Sequence, residues 1–128
     1  RNLPGKRVIS GKSNLYITDL LFSVVQMNFG TGKNAKLSDR QVAGKTGTTQ
    51  DYRDAWFVGF TPDFITGVWV GNDNNSPMKR VTGGDIPAII WREYMSKVDP
   101  NPVNKKFSFD LLDIESIPDE NLPWLSEE

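Results

Sequence analysis

Lys45-Thr46-Gly47-Thr48 places an ammonium and two hydroxyls on one short run of backbone, and that set suits two different chemistries. The first is phosphate binding. A phosphate-binding loop needs G-x-x-x-x-G-K-[ST] between a strand and a helix, so that backbone N–H groups and a lysine surround the anion. Gly44-Lys45-Thr46 supplies only the end of that pattern. The position that requires the first glycine is Asp39, whose carboxylate repels phosphate. Gly47 to Asp51 are turn formers that lead into a strand rather than a helix. The phosphate reading therefore fails on two independent requirements.

The second chemistry is carboxylate binding along a strand edge. An ammonium with two hydroxyls can hold a carboxylate by charge-assisted hydrogen bonds. Thr46 and Thr48 share a face by the two-residue period of a strand. Gly47 has no side chain, so a ligand backbone can lie against it. The Thr48 N–H is then available to a developing oxyanion. Other reactive types are scarce. The chain has no Cys and no His, which excludes disulfides, thiolate catalysis, histidine metal sites and a Ser-His-Asp triad built from this chain alone. No metal or cofactor is expected.

The elements that must position these residues follow from periodicity. A helix is predicted over about Asn14–Asn28, with Leu15, Ile17, Leu20, Leu21, Val24, Val25 and Met27 as an apolar stripe. Ser13 is its expected N-cap, and Gly30 or Gly32 its stop. The segment 30–40 is polar and reads as a flexible loop. Three strands follow, at about Gln41–Thr48, Asp54–Phe60 and Ile65–Gly71. The second is apolar or small on both faces, which suits a strand covered on both sides. Thr61-Pro62-Asp63-Phe64 is a turn that makes the last two an antiparallel hairpin. Residues 72–78 read as a loop. A second helix is predicted over about Asp85–Lys97, with Asp85 as N-cap, Pro87 in its first turn and Ile86, Ile89, Ile90, Tyr94 and Met95 as its apolar side.

Length and charge set the frame. At 128 residues the chain suits one compact domain, and 38% apolar residues with four Trp and seven Phe can build a core. The net charge of −1 argues against general nucleic-acid binding. It hides an asymmetry: residues 1–97 carry 13 Lys/Arg against 8 Asp/Glu, and residues 98–128 carry 2 against 8. Two parts are expected, a folded 1–97 and an acidic, Pro-containing tail at 98–128 held where Phe107, Phe109, Leu111, Leu112 and Trp124 find apolar surface. Residues 1–12 read as a basic connecting segment with a short extended piece at Arg7-Val8-Ile9. No apolar run approaches a membrane span, and no signal-peptide pattern opens the chain. Arg at position 1 raises the expectation of a longer parent that carries any anchor. Helix, three strands and helix together predict an α+β fold with an antiparallel sheet and packed helices.

The run "VAGKTGTTQDYRDAWFVGFTPDFITGVWVGND", residues 42–73, resembles the C-terminal part of the transpeptidase domain of class A penicillin-binding proteins of the 1A type. "VTGGDIPAIIWREYM" is similar to the Gly-Gly segment and final helix of that domain, and "YITDLLFSVVQMNFGTG" to the helix before its K-T-G strand. The likeness covers about residues 7–96. It implies a β-lactamase/transpeptidase-like fold with a five-stranded sheet, of which this chain holds three strands, truncated at the N-terminal side. The two other strands would pair beside Ile65–Gly71, so that strand is expected to show an unpaired edge or to recruit a neighbour.

The resemblance also implies a serine D,D-transpeptidase that cross-links peptidoglycan stem peptides ending in D-Ala-D-Ala and is acylated by β-lactams. Lys45, Thr46, Gly47 and Thr48 would form its substrate-carboxylate and oxyanion wall. Thr49, Arg53 and Asp54 stand nearby as a secondary set, with Arg53 and Asp54 read first as a solvated hairpin-end pair. Trp56, Phe57, Trp69 and Trp91 are expected in the core. Lys33, Lys36 and Arg40 are expected as a solvated basic loop. The nucleophile motif S-x-x-K appears only as Ser76-Pro77-Met78-Lys79, after the K-T-G strand and in a Pro-containing loop, where the family places it before that strand and at a helix start. No S-x-N follows Ser10, Ser13 or Ser38. The chain alone is therefore expected to be inactive, because attacking group and base must stand within hydrogen-bond reach.

The expected partners are the stem peptide, β-lactams and the missing N-terminal part of the same domain, with no nucleic acid. The expected place is the bacterial cell envelope, at the outer face of the cytoplasmic membrane, with a membrane anchor and a glycosyltransferase domain outside this chain. A non-catalytic carboxylate-binding or β-lactam-sensing module, and a β-lactamase fragment, remain as alternatives.

Overall fold

The computed structural model describes residues 6–98, 106, 107 and 109. Its elements run α1 (Gly11–Gln26), a 3-10 turn at Lys33–Ala35, β1 (Ala43–Thr48), a 3-10 turn at Gln50–Tyr52, β2 (Asp54–Phe60), β3 (Ile65–Gly71) and α2 (Ile86–Val98). The strands form an antiparallel meander in the order β1-β2-β3. β2 and β3 occupy the expected residues, and β1 starts two residues later than expected. The hairpin turn is held by the Thr61 N–H on the Phe64 carbonyl, and by the Phe64 N–H on the Thr61 hydroxyl at 3.2 Å. No helix among the described residues is long and apolar enough to cross a membrane.

α1 begins three residues before its expected start, and Ser10, not Ser13, is its N-cap. Ser10 has extended backbone, and its hydroxyl accepts from the Ser13 N–H at 3.0 Å. Two serines three apart offer equivalent caps, and the outer one adds a turn that buries Gly11. Ser10→Ala is expected to cost about 1 kcal/mol, read as a lowered urea midpoint. Ser13→Ala is expected to cost less, because its side chain caps no N–H here. α1 lies along β1, with Gly11, Leu15, Thr18 and Val25 buried, while Ile17, Leu20 and Met27 of the expected stripe stay exposed.

The core lies between α2 and one face of the sheet. Its centre is Phe57 and Trp91, packed edge to face at 5.5 Å, with Val25, Ala35, Leu37, Val42, Ala88 and Met95 around them. The buried side of α2 is therefore Pro87, Ala88, Trp91 and Met95. This corrects the expected face, since Ile86, Ile89, Ile90 and Tyr94 are exposed. The indole is the larger apolar surface, and its burial turns the isoleucines outward.

Three further expectations change. β2 is covered on one face only: Ala55, Phe57 and Gly59 are buried, whereas Trp56 and Val58 are not. Trp56 and Trp69 face each other across β2 and β3 at 45% and 44% exposure, so only Phe57 and Trp91 of the four aromatics are core. The segment 30–40 is ordered, because Ala35 and Leu37 drop into the core from it. Arg40 is not solvated: its side chain is 4% exposed and binds Asp39 at 2.9 Å. That hydrogen-bonded guanidinium holds the Asp39 carboxyl below its ordinary value.

Among the described residues β3 pairs only with β2, which leaves its outer edge without a strand. Residues 6–10 contain no strand. Of the tail contacts expected, Phe107 packs on Phe22 and Phe60, and Phe109 packs on Phe22. Leu111, Leu112 and Trp124 lie outside the described residues.

Candidate active-site wall

β1 carries the Lys45–Thr48 set, and its register decides which groups face where. The Thr49 N–H donates to the Asp54 carbonyl at 3.0 Å, one step beyond the Thr48–Ala55 pair. Bonded and non-bonded pairs alternate along an antiparallel ladder. Gly47–Trp56 and Lys45–Val58 are then the bonded pairs. The N–H and C=O of Thr46 and Thr48 point away from β2, toward the open side of β1. The lysine fits this arrangement: its Nζ donates to the Thr46 carbonyl at 2.9 Å and to Thr46 Oγ1 at 3.3 Å.

Thr46 and Thr48 lie on one face and line a groove of about 380 Å³. The loop after α1 makes one bank of it, through Thr31 and Asn34. The segment before α2 makes the other, through Thr82, Gly84 and Asp85. Lys45 does not line the groove itself; its ammonium reaches the groove through the Thr46 hydroxyl. Three hydrogen bonds close the structure. Thr46 Oγ1 lies 3.0 Å from Thr31 Oγ1. The Asn34 amide donates to the Gly84 carbonyl at 2.7 Å. The Gly83 N–H donates to Thr48 Oγ1 at 3.1 Å. The backbone that lies close to Gly47 is thus the chain's own Gly83. Asp85 precedes α2 as expected, but its carboxylate turns back to accept from the Thr82 N–H and hydroxyl.

The secondary set is not brought to the groove. Asp54 accepts from the Trp69 indole at 2.9 Å and from the Thr49 hydroxyl, and Thr49 Oγ1 accepts from the Asp54 N–H at 2.8 Å. Arg53 binds the Asn75 carbonyl and stands 3.8 Å from Asp51, so Arg53 and Asp54 do not pair with each other. These residues tie the hairpin end to the loop 72–80. Ser76 sits in that loop, with its N–H on Asn74 and its carbonyl on the Asn72 amide, and Lys79 follows in irregular backbone. Neither lines the groove, and among the described lining residues there is no serine.

Thr31, Asn34, Thr82 and the two glycines were not singled out for the site by sequence reasoning. The signal for the glycines was present: a Gly-Gly pair before a helix is a place where backbone can approach backbone. Nothing local marked Thr31 or Asn34, which meet their partners 15 and 50 residues away.

The family described as the penicillin binding protein transpeptidase domain matches residues 1–96. The chain belongs to this family. Its relatives include penicillin-binding protein 1A of Aquifex aeolicus, 47% identical over 90 residues, or 70% of this chain and 12% of that protein. Penicillin-binding protein 1A of Clostridium acetobutylicum is 42% identical over 100 residues, or 78% of this chain and 12% of that protein. The crystal structure of penicillin-binding protein 1A from Haemophilus influenzae matches with a TM-score of 0.63 and 30% identity, over 80% of this chain and 17% of that one. The α+β meander with packed helices is thus shared with a transpeptidase-family protein, and the chain spans about an eighth of the length of the relatives it matches.

Proposed function

We propose that this chain supplies the substrate-carboxylate and oxyanion wall of a serine D,D-transpeptidase that cross-links peptidoglycan stem peptides and is acylated by β-lactams. The observation that carries this reading is the shared groove face of Thr46 and Thr48, with the Lys45 ammonium against the Thr46 hydroxyl. Thr46 and Lys45 bind the terminal carboxylate of the acyl-D-Ala-D-Ala unit or its β-lactam mimic. The outward Thr48 N–H donates to the carbonyl oxygen as it gains charge. Gly47 points to the opposite face, toward Trp56, and leaves that side of the strand without a side chain. The attacking serine and its base come from S-x-x-K and S-x-N segments outside this chain, in a parent that resides at the outer face of the cytoplasmic membrane and carries its own anchor.

The test is labelling with a fluorescent penicillin followed by a denaturing gel. The chain alone is expected to give no covalent band, and a longer parent containing it a strong one. Lys45→Ala in that parent is expected to slow acylation by about 10- to 100-fold, the range for removing a charged hydrogen-bond donor. A band on the chain alone that Ser76→Ala abolishes would place the nucleophile in the loop 72–80 and overturn the assignment.

A further inference from the structure

We infer that Thr31 is a positioning residue for this wall, setting the hydroxyl of Thr46 so that its proton can go to the ligand. The inference rests on the carboxylate-binding reading above and deepens it. It starts from a chain of three groups: Lys45 Nζ is 3.3 Å from Thr46 Oγ1, which is 3.0 Å from Thr31 Oγ1. A threonine hydroxyl has one proton and two acceptor sites. The Lys45 ammonium can only donate, so it takes one acceptor site of Thr46 Oγ1.

The Thr46 proton then has two destinations, Thr31 Oγ1 or a carboxylate in the groove. When the carboxylate takes it, the second acceptor site of Thr46 is left facing Thr31. A hydroxyl at position 31 can turn and donate into that site, because it is both donor and acceptor. The Thr46 oxygen is then satisfied from two sides while its proton is aimed at the ligand, and donors feeding one hydroxyl strengthen the bond it gives. A methyl in place of the Thr31 hydroxyl cannot do this. It also removes the one hydrogen-bond partner that Thr46 Oγ1 has besides Lys45 among the described residues, leaving the flexible lysine alone to hold χ1 of Thr46.

The position of Thr31 fits the role. It lies between Gly30 and Gly32, just after α1, in a segment clamped at both ends. The Gly32 N–H bonds the Val24 carbonyl at 3.0 Å, and Asn34 holds Gly84 across the groove. Gly84 packs close to the Thr31 backbone, where a built Cβ would come within 2.2 Å of the Thr31 carbonyl oxygen. The hydroxyl is thus delivered by backbone that has little room to shift.

The experiment uses the 128-residue chain with Thr31→Val and Thr31→Ser, read by NMR in two ways. The first is the pair of three-bond couplings to Cγ2 of Thr46, which report χ1 without any ligand. The wild type and Thr31→Ser are expected to hold one rotamer, and Thr31→Val to average between rotamers. The second is titration with N-acetyl-D-Ala-D-Ala, followed at the Thr46, Gly47 and Thr48 amides. Thr31→Val is expected to weaken binding by about 3- to 10-fold, with Thr31→Ser restoring it. A single Thr46 rotamer in Thr31→Val, or equal affinity for all three chains, overturns the inference. A wild type whose amides do not move with the dipeptide overturns the carboxylate reading instead, and the ligand-free couplings still decide the role of Thr31. Thr31→Val amide shifts confined to the segment 30–46 establish that the fold is intact.

Discussion

Replacing Trp91 with alanine is expected to cost about 3–5 kcal/mol of folding stability, the usual range for emptying a large buried aromatic site. Trp91 is fully buried, and its ring meets Phe57 edge to face at 5.5 Å. Its Nε1–H donates to the Thr66 carbonyl at 3.0 Å, which couples α2 to the sheet by a bond as well as by packing. Gly59 is shaped to it: a built Cβ there would come within 2.8 Å of the indole, so position 59 has no side chain to fill the space left behind. A small domain is stable by about 5–15 kcal/mol, so the loss takes a large share. The measurement is urea unfolding followed by far-UV circular dichroism, because fluorescence would lose one of its reporters. With a slope of about 1–3 kcal/mol/M, the midpoint is expected to fall by roughly 2 M. A fall below about 0.5 M would mean that α2 is not docked on the β2–β3 face. Trp91→Phe is expected to recover most of the packing but not the bond to Thr66.

Gly83→Ala is the second large effect, and it acts on the groove directly. A Cβ on Gly83 would stand 2.1 Å from the Trp56 carbonyl oxygen, 2.6 Å from the Gly47 oxygen and 2.8 Å from the Gly47 nitrogen. All three are backbone atoms of paired strands, so the loop must move rather than the sheet. No glycine among the described residues has a positive φ, so the cost comes from lost space and not from backbone preference. Overpacking of this kind costs about 1–3 kcal/mol. It also pulls the Gly83 N–H off the Thr48 hydroxyl. The expected result is a midpoint lowered accordingly, with large amide shifts at Gly47 and Thr48. Gly67→Ala is the control. Its built Cβ meets nothing nearer than a Val58 methyl at 3.8 Å, so it is expected to be neutral or to stabilise by up to about 1 kcal/mol through the unfolded chain. Equal effects at the two positions would refute the close approach.

The strands were legible in the sequence because their signals are local. Asp54–Phe60 and Ile65–Gly71 are bounded by a Pro-containing turn, and the turn fixes the register of both. The choice of face was not legible where apolar residues lie on every side. In α2 three isoleucines compete with Trp91 and Met95 for the core, and the size of Trp91 decides the matter. In β2 the Trp56–Val58 face reads as core by composition, yet it is half open to solvent in this chain. The segment 30–40 shows the opposite failure, since its polar composition concealed Ala35 and Leu37, which the core holds. At the candidate site, the shared face of Thr46 and Thr48 was readable because a strand's period of two places them together. The banks of the groove were not, because hydrogen bonds such as Asn34 to Gly84 depend on the packing of elements far apart in the chain.

The meander and the groove close chain loops of very different size. The bonds at the β1–β2 end join residues 5 apart, while two of the three closing the groove join residues 35 and 50 apart. Loop entropy rises as three-halves RT times the logarithm of length, so the wider closures cost about 1.7–2 kcal/mol more. The three strands can reach their register before any distant segment arrives. The two banks are brought to a platform that already stands, and their docking carries the larger share of the closure entropy.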